Sequence, residues 1–364
     1  MSGIISGVTK HYAQDFKLNK KVDNMEPNVD KNTDFYKYVD CFARTAHIPT
    51  TCIFRGTIHQ DAEITITIPT FKRIDTLEET LESALNQVGY EDYQIFVVDN
   101  NPERNDVTEL FMQKYQGGRV SYFKNNENLG LCGNWNRCFS LAKSKWVCLL
   151  HDDDTIRPEF FSTMVPFLNT LPDVGILQSR KYRDRNNGAE FDIKYKQAVD
   201  KWCELDFYTG QTIDVPSGII YNREKVISLG GFNIDYSSSL DFCFNVRFTA
   251  NYNVYVVNKP LTWYREGETN YSKQASTQLN WMIVDFYQIL AILHRYNIPD
   301  YIGLPFLEER CISRLKGDLK RWNTTIEIPK AKLIWKDYPR WITYLSYKLV
   351  TQIVKWNHYR IQAK

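Results

Sequence analysis

Between residues 63 and 170 the chain alternates short apolar, β-branched runs with segments whose leucines and aromatics recur at helical spacing. That alternation leaves few folds open. EITITIPTF (63–71) reads as a buried strand closed by a proline. DTLEETLESALNQ (75–87) carries Leu77, Leu81 and Leu85 on one helical face, with Asp75 as a candidate N-cap. YQIFVVDNN (93–101) is a second buried strand and DVTELFMQKYQ (106–116) a helix. RVSYFKN (119–125), GNWNRCFSLAKS (133–144), WVCLLHDDD (146–154) and PEFFSTMVPFL (158–168) continue as strand, helix, strand and helix. Such an order predicts right-handed βαβ units: an α/β fold with a mixed, mainly parallel sheet flanked by helices.

Ligands of such sheets bind outside the carboxyl ends of the strands. The polar tips Pro69–Arg73, Asp99–Asn101, Asn125–Gly130 and His151–Asp154 all fall at those ends. The last holds three consecutive aspartates, which repel one another unless a cation neutralises them. A hard divalent ion such as Mg²⁺ or Mn²⁺ binds through one or two carboxylates together with substrate phosphates. Asp152 and Asp153 are the candidate ligands, whereas Asp154 or Thr155 suits capping of the following helix. An acidic neighbourhood favours the cation of His151, although a structural imidazole is the plainer reading. Neither GxxxxGK[ST] nor GxGxxG occurs, which counts against kinase, ATPase and dehydrogenase chemistry.

Beyond residue 175 the order is mixed. VGILQSRKYRD (174–184) and DVPSGIIYN (214–222) read as strands, and REKVISLGGF (223–232) as a short helix with a glycine cap. SLDFCFNVRFTANYN (239–253) has helical spacing, and VYVVNKPLTWYRE (254–266) reads as a strand pair. A net charge of +2 gives no argument for nucleic acid. The eight cysteines show no metal-binding spacing, and several lie within apolar runs, as expected of reduced thiols in the cytosol. No secretory leader and no spanning apolar run is evident.

The ordered set ITIPTFKR, VVDNN, NENLG, LLHDDDTIRP and SGIIYNREKVISLGGF resembles the inverting family 2 glycosyltransferases of the GT-A fold, of the bacterial polysaccharide type. The resemblance covers about residues 63–272 and implies a metal-dependent hexosyltransferase using a UDP- or dTDP-sugar, with a glycan or lipid-linked glycan as acceptor. It implies donor contacts from Pro69, Thr70, Arg73, Asp99 and Asn100, the last standing where many relatives have aspartate. Asn128, Gly130, Asn134 and Arg137 match the donor-lining segment. Asp152 falls at the ribose- or sugar-facing position and Asp153 at the metal position. The family's catalytic base follows a GGF-type turn; Asp241 and Arg247 keep its spacing, while Leu240 and Cys243 replace two acids. Asp241 is therefore the expected base, with Asp235 as the fallback and helix capping as the ordinary alternative for Asp241. In the closing segment WYREGETNYS (263–272), Arg265 is placed to face the diphosphate and Glu266 or Glu268 to assist the metal, if they are more than exposed loop charges.

The expected organisation is a lead or small subdomain (1–60), a catalytic domain (61–272, its nucleotide-sugar half ending at 155 and its acceptor half following), and a helical region (273–364). From Lys330 onward eight basic residues stand against one acid, Asp337, among Trp, Tyr and Ile. Such a tail can lie on the inner face of an anionic membrane, or pack on the protein or a second subunit. Two other functions remain open. A sugar-phosphate nucleotidylyltransferase would need a Gly-rich opening that ITIPTFKR lacks, and a silent nucleotide- or glycan-binding module would account for Leu240 and Cys243.

Overall fold

The computed structural model describes residues 29–57, 62–182, 197–210, 215–265, 274–321, 323, 325 and 338–362. They fall into two compact units. One comprises Tyr36–Asn233 and Phe244–Gly267, and the other Met1–Phe35, Ile234–Cys243 and Glu268–Lys364.

The first unit is built on a sheet. Its elements in chain order begin with β1 (Thr50–Phe54), β2 (Ile64–Thr70), α1 (Ile74–Leu85), β3 (Tyr93–Asp99), α2 (Val107–Met112), β4 (Val120–Asn125) and α3 (Gly130–Leu141). They continue with β5 (Trp146–Leu149), β6 (Thr155–Ile156), α4 (Phe160–Thr170), β7 (Val174–Tyr182), β8 (Val199–Trp202), α5 (Asp206–Thr209), β9 (Ile219–Asn222) and α6 (Arg223–Ser228). Helix α7 (Leu240–Asn251) precedes β10 (Asn253–Trp263). The strand order is β1-β4-β3-β2-β5-β9-β7-β10-β6, with β8 added on β10. The four strands from β4 to β5 are parallel, whereas β9 runs against both β5 and β7. The βαβ reading holds: β2 and β3 are buried along their whole length, as strands covered on both faces must be.

Four details differ from the sequence reading. Thr50–Phe54, expected within an irregular lead, pairs antiparallel with β4. Its signal is weak because its partner lies some seventy residues later and the strand is only partly buried. Residues 253–263 form one strand rather than two, because Pro260 is absorbed in a register shift. Asp75 sits inside the first turn of α1, whose N-cap is Arg73. Helix α4 is capped at Glu159, so neither Asp154 nor Thr155 caps it.

The turn after α6 needs two glycines in succession. Gly230 and Gly231 have φ of 79° and 77°, and a Cβ on Gly230 would strike the Val39 carbonyl. The turn delivers Phe232 into an aromatic cluster with Phe139, Tyr221 and Phe244, and Asn136 brackets the Phe232 backbone with two bonds of 2.9 Å. All eight cysteines are free thiols, as expected.

The ends of β3 and β4 are fixed by a buried cation. Lys124 donates to Asp99 Oδ2 at 3.0 Å and Asp106 Oδ1 at 2.7 Å while only 1% exposed. Tyr122 donates to the same Asp99 oxygen at 2.6 Å. Asp106 also caps α2 by accepting from Glu109 N.

The second unit is helical in its described residues: a short 3₁₀ segment at Ile234–Ser239, then α8 (Ala275–Arg295), α9 (Asp300–Arg321) and α10 (Arg340–Gln362). Asp285 of α8 accepts from Arg314 of α9 at 2.8 Å. Pro305 interrupts the ladder of α9, and Ser346 of α10 inserts beside it, accepting from Phe306 N and donating to Ile302 O. Among the described residues no helix is long and apolar enough to cross a membrane.

Replacing Lys124 strands at least one fully buried carboxylate. Lys124→Met should cost about 3–5 kcal/mol in urea unfolding, and adding Asp99→Asn should recover part of that loss. A cost under about 1 kcal/mol would show that the network contributes little.

Candidate functional site

The carboxyl ends of β2, β3, β4 and β5 lie side by side, and the chain folds the loops after them into one hydrogen-bonded ridge. Asn100, just past β3, takes Thr70 O at 2.9 Å through its backbone and Asn128 Oδ1 at 2.7 Å through its side chain. Its own oxygen accepts from Leu129 N and Asn125 Nδ2. Asn134, reaching in from α3, links Asn125 to the Val98 carbonyl. Gly130 opens α3 with φ of 69°, and its N–H bonds to Asn128 Oδ1 at 2.8 Å. Four of the expected donor residues, Asn100, Asn128, Gly130 and Asn134, are thus brought together. Asp99 lies directly beneath them with both oxygens bonded within the protein, and burial pushes its carboxyl above the usual range against Tyr122 and Lys124. Arg137 is turned toward Thr45 O (2.7 Å) and the Thr50 hydroxyl, so its guanidinium ties α3 to β1.

The second cluster forms where β5 ends. Leu150 N still bonds Thr67 O across the sheet, and a turn then closes with Asp154 N on His151 O. This i, i+3 turn sets His151 beside Asp154. The three aspartates are all buried, and their surroundings divide them. Asp152 accepts from the Thr70 hydroxyl at 2.7 Å, and Arg73 stands 3.6 Å from it. Arg73 also pairs with Asp153 at 2.8 Å. Asp154 accepts from Arg265 N through one oxygen, and Arg265 Nε donates to Asp153 O at 2.9 Å while its guanidinium pairs with Glu79. Thr70, Arg73, Asp152 and Asp153 therefore meet as expected, with Pro69 inside β2 next to them. Glu266 and Glu268 lie outside the described residues.

Burial dominates the acid–base balance here. It pushes the Asp152 carboxyl up to about 7 against the pull of Arg73, and Asp154 up to about 6. His151 stacks on Trp135 at 5.1 Å, and burial pulls its imidazole down to about 4, outweighing the attraction of Asp153. The ring is therefore neutral at pH 7, contrary to the cation an acidic neighbourhood favours, because desolvation is the larger effect.

One ligand atom each from His151, Asp153 and Asp154 lies within 4.8 Å of the others. His151 Nε2 and Asp154 Oδ2 are buried without a hydrogen-bond partner. Two unpartnered ligand atoms, one imidazole nitrogen and one carboxylate oxygen, beside the Asp153 carboxylate fit a divalent cation. Asp152, expected to share the metal with Asp153, is instead held by Thr70 and Arg73. The signal for His151 and Asp154 was the turn itself: four polar residues leaving a strand place the first against the fourth. The role of Arg265 as a brace on the acidic turn had no signal, since its bonds span more than a hundred residues.

Asp241 belongs to the helical unit's share of the chain, in the first turn of α7, where it accepts from Phe242 N at 2.8 Å. Asp235 lies in the preceding 3₁₀ segment, whose Ser237 has φ 50° and ψ −128°, a conformation that costs on the order of 1–3 kcal/mol. Arg247 donates to Gly231 O and Lys37 O and so holds the glycine turn.

Residues 65–227 match the family model for glycosyl transferase family 2. They are a family 2 glycosyltransferase domain. An uncharacterized glycosyltransferase of Methanocaldococcus jannaschii is 24% identical over 52% of this chain and 65% of its own length. A GalNAc(5)-diNAcBac-PP-undecaprenol beta-1,3-glucosyltransferase of Campylobacter jejuni is 33% identical over 29% of this chain and 35% of its own length. The chain thus spans less than two thirds of either relative. The crystal structure of S. aureus TarS 1-349 with UDP-GlcNAc superposes with a TM-score of 0.50 at 16% identity, covering 81% of this chain and 92% of that one. The glycosyltransferase domain therefore has the GT-A fold, and its acidic turn stands at the carboxyl end of the central parallel strands.

In metal-free protein the native state holds the Asp154 carboxyl at about 6, against about 3.9 in an unfolded chain. The native state then binds the extra proton between those values, and stability falls as pH rises through them. Asp154→Asn keeps an acceptor for Arg265 N and removes that fall. Its melting temperature in EDTA, relative to the parent, should climb between about pH 4 and pH 6, equivalent to up to ~3 kcal/mol. A difference that stays flat with pH would show the carboxyl to be compensated already.

Proposed function

We propose that this glycosyltransferase moves a sugar, with inversion, from a nucleotide-diphosphate donor to a hydroxyl of a glycan or lipid-linked glycan in a metal-dependent reaction. The cluster of His151, Asp153 and Asp154 carries the reading, because it gathers three ligand atoms within 4.8 Å and leaves His151 Nε2 and Asp154 Oδ2 without a hydrogen-bond partner. A divalent ion there, Mn²⁺ in the first instance, would supply positive charge to offset that of the departing diphosphate. The residues that would hold it are Asp153, His151 and Asp154, with Asp152 beside them on the donor side.

The donor lies along the ridge from Pro69 and Thr70 to Asn128 and Gly130. Arg73, half-exposed and already paired with two carboxylates, has further donors for phosphate oxygens. The C. jejuni relative is named for an undecaprenol-linked glycan and the TarS structure holds UDP-GlcNAc, which makes UDP-sugars and polyprenol-linked glycans the first substrates to examine. In the transfer, the acceptor hydroxyl gives its proton to the Asp241 carboxylate. Its oxygen bonds the anomeric carbon from the face opposite the nucleotide, and the bond to the diphosphate breaks with its electrons on the leaving oxygen.

Purified protein should gain thermal stability from UDP or dTDP only with Mn²⁺, and should hydrolyse a matching donor slowly. Asp153→Asn should abolish the metal-dependent shift and the hydrolysis. Asp241→Asn should keep the shift but lose about 10²–10⁴-fold in transfer. Unaltered turnover of Asp241→Asn would move the base to another residue such as Asp235. Donor hydrolysis that persists in EDTA would end the metal-dependent reading.

A further inference from the structure

Helix α10 is amphipathic in an unusual sense, with its small and polar residues facing inward and its large apolar ones outward. Thr343, Ser346, Val350 and Val354 are buried, and Ser346 is the residue that enters the break in α9 beside Pro305. Tyr347 adds a ring contact to Phe306 at 4.8 Å. Meanwhile Trp341 (67% exposed), Tyr344, Leu345, Leu349 and Trp356 (59%) face solvent. At 100° per residue Trp341, Leu345, Leu349 and Trp356 fall within about 80° of one another, with exposed Gln352 among them, and Lys348 and Lys355 lie between Trp341 and Tyr344 at one edge of that arc, both exposed. A soluble helix normally turns such residues toward its core, and contiguous exposed apolar patches mark interaction surfaces.

Charge decides between possible occupants. Residues 340–362 contain Arg340, Lys348, Lys355 and Arg360 and no aspartate or glutamate. A second copy docking face to face would bring lysines against lysines with no acid to pair them. An anionic surface pairs with Lys348 and Lys355. The two tryptophans are fifteen residues apart, roughly 22 Å along the axis, so both can sit at one interfacial depth only if the helix lies in the plane of the surface. We propose that α10 is an in-plane docking helix for an anionic lipid surface, burying the Trp341–Trp356 stripe among the acyl chains while Lys348 and Lys355 contact the headgroups. This holds whether or not the sugar chemistry is as read above.

The test is flotation of the full chain with phosphatidylcholine vesicles, with and without phosphatidylglycerol, alongside light scattering of the protein alone. The chain should float with the anionic vesicles and not with neutral ones, and high salt should release it. Lys348→Glu with Lys355→Glu should weaken binding by at least about tenfold, as should Trp341→Ser with Trp356→Ser. All four positions are solvent-facing, so circular dichroism and melting temperature should match the parent and separate lost binding from lost folding. Equal binding to neutral vesicles, no binding to either, or a lipid-free dimer dissolved by the same substitutions would each overturn the proposal.

Discussion

The hardest electrostatic problem in this molecule is a turn that buries three successive carboxylates at the end of β5. Each would prefer water, and each repels the next. The protein answers unequally. Asp152 receives the Thr70 hydroxyl and part of Arg73, Asp153 the rest of Arg73, and Asp154 a backbone N–H. Arg73, with Lys181 acting on Asp154 alone, does not offset the burial of these acids. The shortfall shows as raised carboxyl pKa values at Asp152 and Asp154 and as two buried atoms left without partners. A turn maintained in that condition fits the divalent cation proposed for it.

The rest of the sheet unit supplies rigidity to that turn. Its floor is the parallel core, whose strands present their ends at one level. Its sides are the asparagine ridge and the Lys124 network, which use side-chain bonds to fix loops that lack regular backbone partners. Fully satisfied polar networks of this kind hold one geometry at a desolvation cost that an apolar core would avoid. Asp99 shows the consequence. Both its oxygens are bonded within the protein, so it fixes the loop that follows β3.

How far the sequence could be read follows from the range of each interaction. Strands β2, β3, β4 and β5 were legible because burial on both faces demands continuous apolar, β-branched runs, and their polar tips follow from topology. The meeting of Thr70, Arg73, Asp152 and Asp153 came from the same rule. What escaped was set by distant partners. Strand β1 exists because β4 offers it an edge, and Arg265 reaches the acidic turn from the end of β10. The state of His151 depends on how deeply it is buried against Trp135, and local charge alone suggested the opposite sign.

The proposed metal site and the proposed base are carried by different parts of the fold. The acidic turn can be rigid because every element around it belongs to one sheet. Asp241 is carried differently: it opens a helix just after a strained serine, in a segment that clusters with the helical unit. A base must meet acceptors that differ from one transferase to another, whereas a diphosphate and its counter-ion are nearly constant. Under the role proposed for Asp241, selection for acceptor would act on the segment around 234–243 and leave the HDDD turn alone, and Leu240 and Cys243 both stand in or at the edge of that segment.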